Sequence, residues 1–165
     1  MAELWDVYTE ERVPIGRLQQ RGLPIPEGEY HLVVNIWVVR EDGRILLTRR
    51  DPRKPYGGWW ETTGGSVVAG EDSLQGALRE TEEETGICLR GLHPIFLCSE
   101  KRKNDFLDTW LFFVKGSPAV TLQEGDTVDF RWVTREEYEA MDRAGEIVPT
   151  IHSFPHLCGA MERKR

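Results

Sequence analysis

Apolar and polar positions change period several times along this 165-residue chain, and each change predicts an element. Residues 4 to 8 form a short apolar segment. A stretch broken by Pro14, Gly16, Gly22, Pro24, Pro26 and Gly28 follows, which predicts a small hairpin or strand leading into a surface connection. From Tyr30 to Val39 the run YHLVVNIWVV is apolar on both alternating sets. Leu32, Val34, Ile36 and Val38 point one way, and Val33, Trp37 and Val39 the other, as in a central strand covered on both faces. Glu41-Asp42-Gly43 predicts a turn and residues 45 to 50 a second strand, together a hairpin.

A loop over residues 51 to 58 leads to Trp59, Trp60 and a Gly64-Gly65 turn. Residues 73 to 85 then predict a helix. Asp72 stands at its N-cap with Gln75 three residues on, and Gly86 sits where a C-terminal glycine belongs. Residues 94 to 99, 105 to 114 and 127 to 133 read as strands, and Thr134 with Glu137 opens a last helix by the same capping logic. Strands interrupted by one central helix and closed by another predict an α/β fold, a mixed sheet between helices.

Composition narrows the partners. Lys and Arg number 21 against 28 Asp and Glu, so the formal charge is −7, which argues against nucleic acid or an anionic membrane. No basic start with an apolar run marks a signal peptide, and no apolar stretch has the length of a membrane span. The three cysteines (Cys88, Cys98, Cys158) form no CxxC, which fits reduced thiols in the cytoplasm. One domain of 1–165 is expected, with residues 1–29 an N-terminal extension packed on it, and a homodimer stays open.

The chemistry gathers on the predicted helix. At about 100° per residue, Leu74, Ala77, Leu78, Thr81 and Thr85 share the packed face. Glu80, Glu83 and Glu84 lie together beside it, and Glu82 on the opposite flank. Like charges at i, i+3 and i+4 cost about 0.2–0.5 kcal/mol per pair. A plain solvated face with Arg79 pairing to Glu83 would also produce this pattern. With the glycine turn upstream, however, converging carboxylates and a carbonyl form an all-oxygen site suited to Mg²⁺, with Mn²⁺ as an alternative.

Residues 65 to 87, GSVVAGEDSLQGALRETEEETGI, resemble the signature box of the Nudix hydrolase family. Gly65, Glu71, Arg79, Glu80, Glu83, Glu84, Gly86 and Ile87 fill their places, and Thr81 stands where an aliphatic residue is usual. Seven fixed identities arise by chance on the order of 10⁻⁸ per starting point at roughly 7% usage each. The resemblance implies a Nudix-type α/β/α sandwich and metal-dependent hydrolysis of a diphosphate linkage in a small organic molecule, such as a nucleoside diphosphate joined to another group. It implies Glu83 and Glu84 as principal metal ligands, Glu80 as ligand or general base, and a Gly64 or Gly65 carbonyl completing the set. Arg79 would orient a glutamate, with Glu71 its partner, and Glu124 on a later loop, with Asp126 behind it, would add a ligand. ELWDVY, GEYHLVVNIWVV and ILLTRR are similar to the branch related to isopentenyl-diphosphate isomerase. The isomerase's cysteine is missing from Glu61-Thr62-Thr63-Gly64-Gly65-Ser66, and His31 alone matches one of its histidines. Isomerisation and nucleotide binding without turnover are the alternatives.

Outside the box, His31 and Asn35 share one side of an apolar strand, and buried polar groups there must bond to ligand or protein. Arg49 and Arg50 point to opposite faces, so one of them, taken as Arg49, meets phosphate. Trp59, with Tyr56 and Trp60, stacks a base, covers an apolar tail or packs in the core. Asp108 is either a pocket residue or an edge guard. His152, His156 and Cys158 are not read as a zinc site, because Pro155 argues against helical presentation and a fourth ligand is missing.

Overall fold

A computed structural model describes residues 2–164. Its frame is set by one strand with two apolar faces. β3 (His31–Arg40) is the central strand that its sequence predicts, and both of its edges are taken. β8 (Asp105–Val114) runs parallel along one edge from His31↔Asp105 to Arg40↔Val114. β6 (Thr63–Ser66) runs antiparallel along the other, from Val33↔Ser66 to Ile36↔Thr63. β7 (Ile95–Lys101) extends the sheet beyond β8. β4 (Ile45–Arg50) pairs with β9 (Thr127–Val133) and β5 (Trp60–Glu61). These seven strands make one mixed sheet.

Two apolar layers sandwich it. Leu32, Val34, Ile36 and Val38 pack with Leu46, Phe106 and Phe112 under α1 (Ser73–Thr85), through Ala77. Trp37 and Val39 pack with Ile45, Leu47 and Leu111 under α2 (Arg135–Arg143) and α3 (Phe154–Lys164), through Tyr138, Met141 and Leu157. The fold is an α/β/α sandwich. The capping boxes of Asp72 with Gln75 and Thr134 with Glu137 both form, and Gly86 closes α1 at φ 70°.

Three expectations change. The β3–β4 hairpin forms its turn but keeps one register pair, Val39↔Ile45, because β8 and β6 occupy β3 while β9 and β5 claim β4. Gly64 and Gly65 lie in a strand, not a turn. A Cβ on Gly64 would stand 2.3 Å from the Val34 carbonyl oxygen, so glycine is what lets β6 lie against β3. Helix α2 is not the last: α3 follows, and Pro155 sits in its first turn, where a missing amide costs nothing.

The N-terminal segment forms a separate hairpin, β1 (Leu4–Tyr8) with β2 (Pro14–Gln20). Trp5 stacks on His31 at 4.0 Å, and Tyr8 and Tyr30 exchange backbone bonds of 2.8 and 3.0 Å. Between the hairpin strands, Arg12 adopts φ 62° and reaches Asp108, which is 1% exposed, through both guanidinium nitrogens. A buried carboxylate left without its cation is strongly destabilising. Arg12→Ala should therefore cost about 2–3 kcal/mol, and Asp108→Asn in the same chain should recover much of it. Urea unfolding of the two single variants and the double variant measures the coupling; additive losses would contradict it.

Candidate active site

The acidic flank of α1 meets β6 along one seam, and Arg79 organises it. Its Nε donates to both Glu71 carboxylate oxygens (2.9 and 3.1 Å), and one terminal nitrogen to Glu80 (2.9 Å) and Glu83 (3.0 Å). The other reaches the Ser66 carbonyl (2.9 Å) and Glu71 again (3.0 Å). Burial opposes the charge on Arg79, but the bonds to Glu71 and Glu80 outweigh it, so its proton is held more tightly than usual. The Arg79–Glu83 pair of the solvated-face reading forms, and Glu80 and Glu84 turn toward β6. Glu82 lies apart, facing Arg90.

Glu84 is part-buried, with its carboxylate turned in to accept from the Thr63 hydroxyl and, at 3.2 Å, from the Gly64 amide. Burial pushes its carboxyl up to about 8; the Thr63 bond opposes this, and Glu61 and Glu80 add to it. Burial also raises Glu80, against Arg79, and Glu61, against Arg50. A Cβ on Gly65 would lie 2.5–2.6 Å from the Glu80 carboxylate, so a side chain there would displace it. Thr81 fills its packed-face place, fully buried, with its hydroxyl donating to the Ala77 carbonyl at 2.9 Å.

Among the described residues, no three His, Cys, Asp or Glu side chains meet as a ready-made metal cage. Arg79 spans Glu80 and Glu83, while Thr63 holds Glu84. The donor set nevertheless suits a hard divalent cation: carboxylate oxygens with backbone carbonyls beside them.

The sheet surface beside this seam opens into a cleft of about 390 Å³, bounded by Glu61, Thr62, Gly64 and Gly65 on one side and by β7 and the start of α3 on the other. The profile of the NUDIX domain matches residues 29–152. The chain belongs to the Nudix family. An uncharacterized Nudix hydrolase of Listeria monocytogenes is 37% identical over 155 residues, 89% of each chain. An isopentenyl-diphosphate Delta-isomerase of Salmonella heidelberg is 23% identical over 131 residues, 74% of this chain and 72% of that one. Among solved structures, DR0079 of Deinococcus radiodurans superposes with a TM-score of 0.72 at 22% identity, covering 88% of this chain and 92% of its own. Membership makes this chain a hydrolase of the pyrophosphohydrolase class, which generally uses divalent metal ions.

The structure sorts the other expected site residues of this Nudix hydrolase. Asn35 lines the cleft, bonded to Ser153 at 3.2 Å and to Thr62, which donates its hydroxyl. His31 does not line it, being held under Trp5. Asp108 faces the α1 layer and belongs to Arg12, because alternation along β8 sends Leu107 and Thr109 to the cleft instead. Arg49 donates to the Gly58 carbonyl and lies over Trp60, whereas Arg50 reaches Glu61 at 2.7 and 2.8 Å. Parity in β4 carried that signal, since Leu46 faces the α1 layer and Ile45 and Leu47 the other. Trp59 stands outside the cleft beside Tyr56, and Trp60 is core. Glu124 is exposed on a loop whose Gln123 amide donates to the Glu84 carbonyl, and Lys54 holds Asp126. Thr63 and Glu61 are the contributors that sequence reasoning missed.

Burial pushes the His31 imidazole below its ordinary range; Asp105 and Glu3 oppose this and Arg102 adds to it. The unfolded chain then binds a proton below about pH 6.5 that the folded one resists, so this group's contribution to stability falls as pH drops. His31→Gln should flatten the loss of stability between pH 7 and pH 5, read as the difference in urea midpoints. Equal losses in wild type and variant would contradict it.

Proposed function

We propose that this Nudix hydrolase cleaves the phosphoanhydride of a small organic diphosphate, a nucleoside diphosphate linked to another group or another organic diphosphate, with Mg²⁺ or Mn²⁺. The observation that carries this reading is the seam in which Glu80 and Glu84 of α1 face Gly65 and Gly64 of β6, with Glu83 joined to Glu80 through Arg79. Glu83 and Glu84, with Glu80 and a carbonyl of Gly64 or Gly65, would hold the ion. When bound, it supplies charge neutralisation at the diphosphate and a stronger electrophile at phosphorus.

The chain's own groups do the rest. Glu80 or Glu83 takes the proton of the attacking water as its oxygen bonds to phosphorus and the P–O–P bridge breaks. Arg79 holds both glutamates in register, and Thr63 keeps Glu84 turned inward. Isomerisation finds less support. Cys98 lines the cleft, yet burial raises its thiol above the ordinary range, the reverse of a poised thiolate.

Phosphate or monophosphate release from a panel of diphosphates with Mg²⁺ tests this. Glu83→Gln and Glu84→Gln should each lower kcat by about 10²-fold or more, and chelation should stop turnover. Undiminished rates in both variants would overturn the assignment.

A further inference from the structure

Away from the carboxylate seam, the cleft crosses the sheet toward β7 and α3. Its floor is built of Val33, Leu107 and Ile151, and the Asn35 amide there is already tied between Thr62 and Ser153. A nucleobase gains most by stacking on flat aromatic faces. Tyr56 and Trp59, the exposed aromatic pair, stand outside this space, and the rings that do line it are the small imidazoles of His152, tied to Glu100 and the Pro149 carbonyl, and His156. Branched methyl groups in about 390 Å³ suit a compact saturated skeleton or a single sugar ring instead.

The far end of the cleft carries free hydrogen-bond donors. Arg102 lines it with Nε on Asp105 at 2.6 Å, and its two terminal amino groups have no hydrogen-bond partner among the described residues. His156 lines it from the first turn of α3, exposed and likewise without a hydrogen-bond partner among the described residues. The acids at the rim have partners, Glu61 in an ion pair with Arg50 and Glu100 in a 3.3 Å hydrogen-bond contact with His152. A guanidinium fork with free donors binds phosphate in bidentate fashion, and the amino end of an eleven-residue helix adds a favourable field.

We propose that the substrate is a compact, non-nucleoside diphosphate carrying a second phosphate, a monoester, which Arg102 and His156 bind while the diphosphate lies at the α1–β6 seam. This rests on the hydrolase reading above and names its substrate class. Carboxylates that would take the cation at one end and free donors at the other orient such a molecule in one direction.

Four probes test it with the intact protein and Mg²⁺: 5-phosphoribosyl 1-diphosphate, isopentenyl diphosphate, ADP and UDP, each followed by phosphate release. The first carries a sugar and a distal phosphate, the second an aliphatic chain alone, and the others a base. Its kcat/KM should exceed the other three by about tenfold or more, mainly through KM. Arg102→Gln and His156→Gln should each raise KM for it about tenfold, with kcat changed far less. Because Arg102 also meets Asp105, the His156 variant serves as the second reading should the first fail to fold. Equal or better turnover of ADP, UDP or isopentenyl diphosphate, or an unchanged KM in every folded variant, overturns this inference alone. No phosphate from any of the four, together with no phosphate or monophosphate from the wider diphosphate panel, overturns the hydrolase reading with it.

Discussion

One guanidinium fixes the geometry on which this enzyme depends. Glu71 belongs to the loop before α1, Ser66 ends β6, and Glu80 and Glu83 lie on the helix; Arg79 bonds to all four. Left alone, the glutamates would repel one another and the helix could slide against the strand. Held by a shared cation, they stay together, with the Glu80 carboxylate against Gly65. Arg79 is therefore a positioning residue. It keeps the carboxylates together on one flank of the helix.

The sheet supplies the other half of the constraint. β6 approaches β3 closely because Gly64 leaves room for the Val34 carbonyl, and Gly65 leaves room for the Glu80 carboxylate. From the opposite layer, the Ser153 hydroxyl accepts from Asn35 and from the Trp37 indole at 2.9 Å, and Asn35 accepts from Thr62. These bonds tie the entry of α3 to the strand next to the carboxylates. The cleft is thus walled by elements whose positions are set by buried polar bonds as well as by packing.

What the sequence made legible was local. Helix α1, its caps and its glutamate flank follow from residues a few positions apart, and β3 announces itself by two apolar faces. Strand β6 escaped notice because its glycines carry the signature of a turn, and only the neighbouring carbonyl and carboxylate reveal why they must be glycine. The partners of β4 are set by β9, some eighty residues away, which no local pattern encodes. His31 and Asp108 were read as site residues because the hairpin that covers them, through Trp5 and Arg12, is joined to them only in three dimensions. Arg50 was within reach of parity alone.

The −7 charge acquires its meaning from this arrangement. Six acids, Glu71, Asp72, Glu80, Glu82, Glu83 and Glu84, lie on one helix and its lead-in. A bare cluster repels a diphosphate, and a cation-loaded one attracts it. Mn²⁺ binding to the intact protein, followed by its paramagnetic signal in wild type and Glu84→Gln, tests this most directly. Saturable binding at the wild-type site that is lost in the variant is the predicted result. Loose binding that persists unchanged in Glu84→Gln would contradict the account.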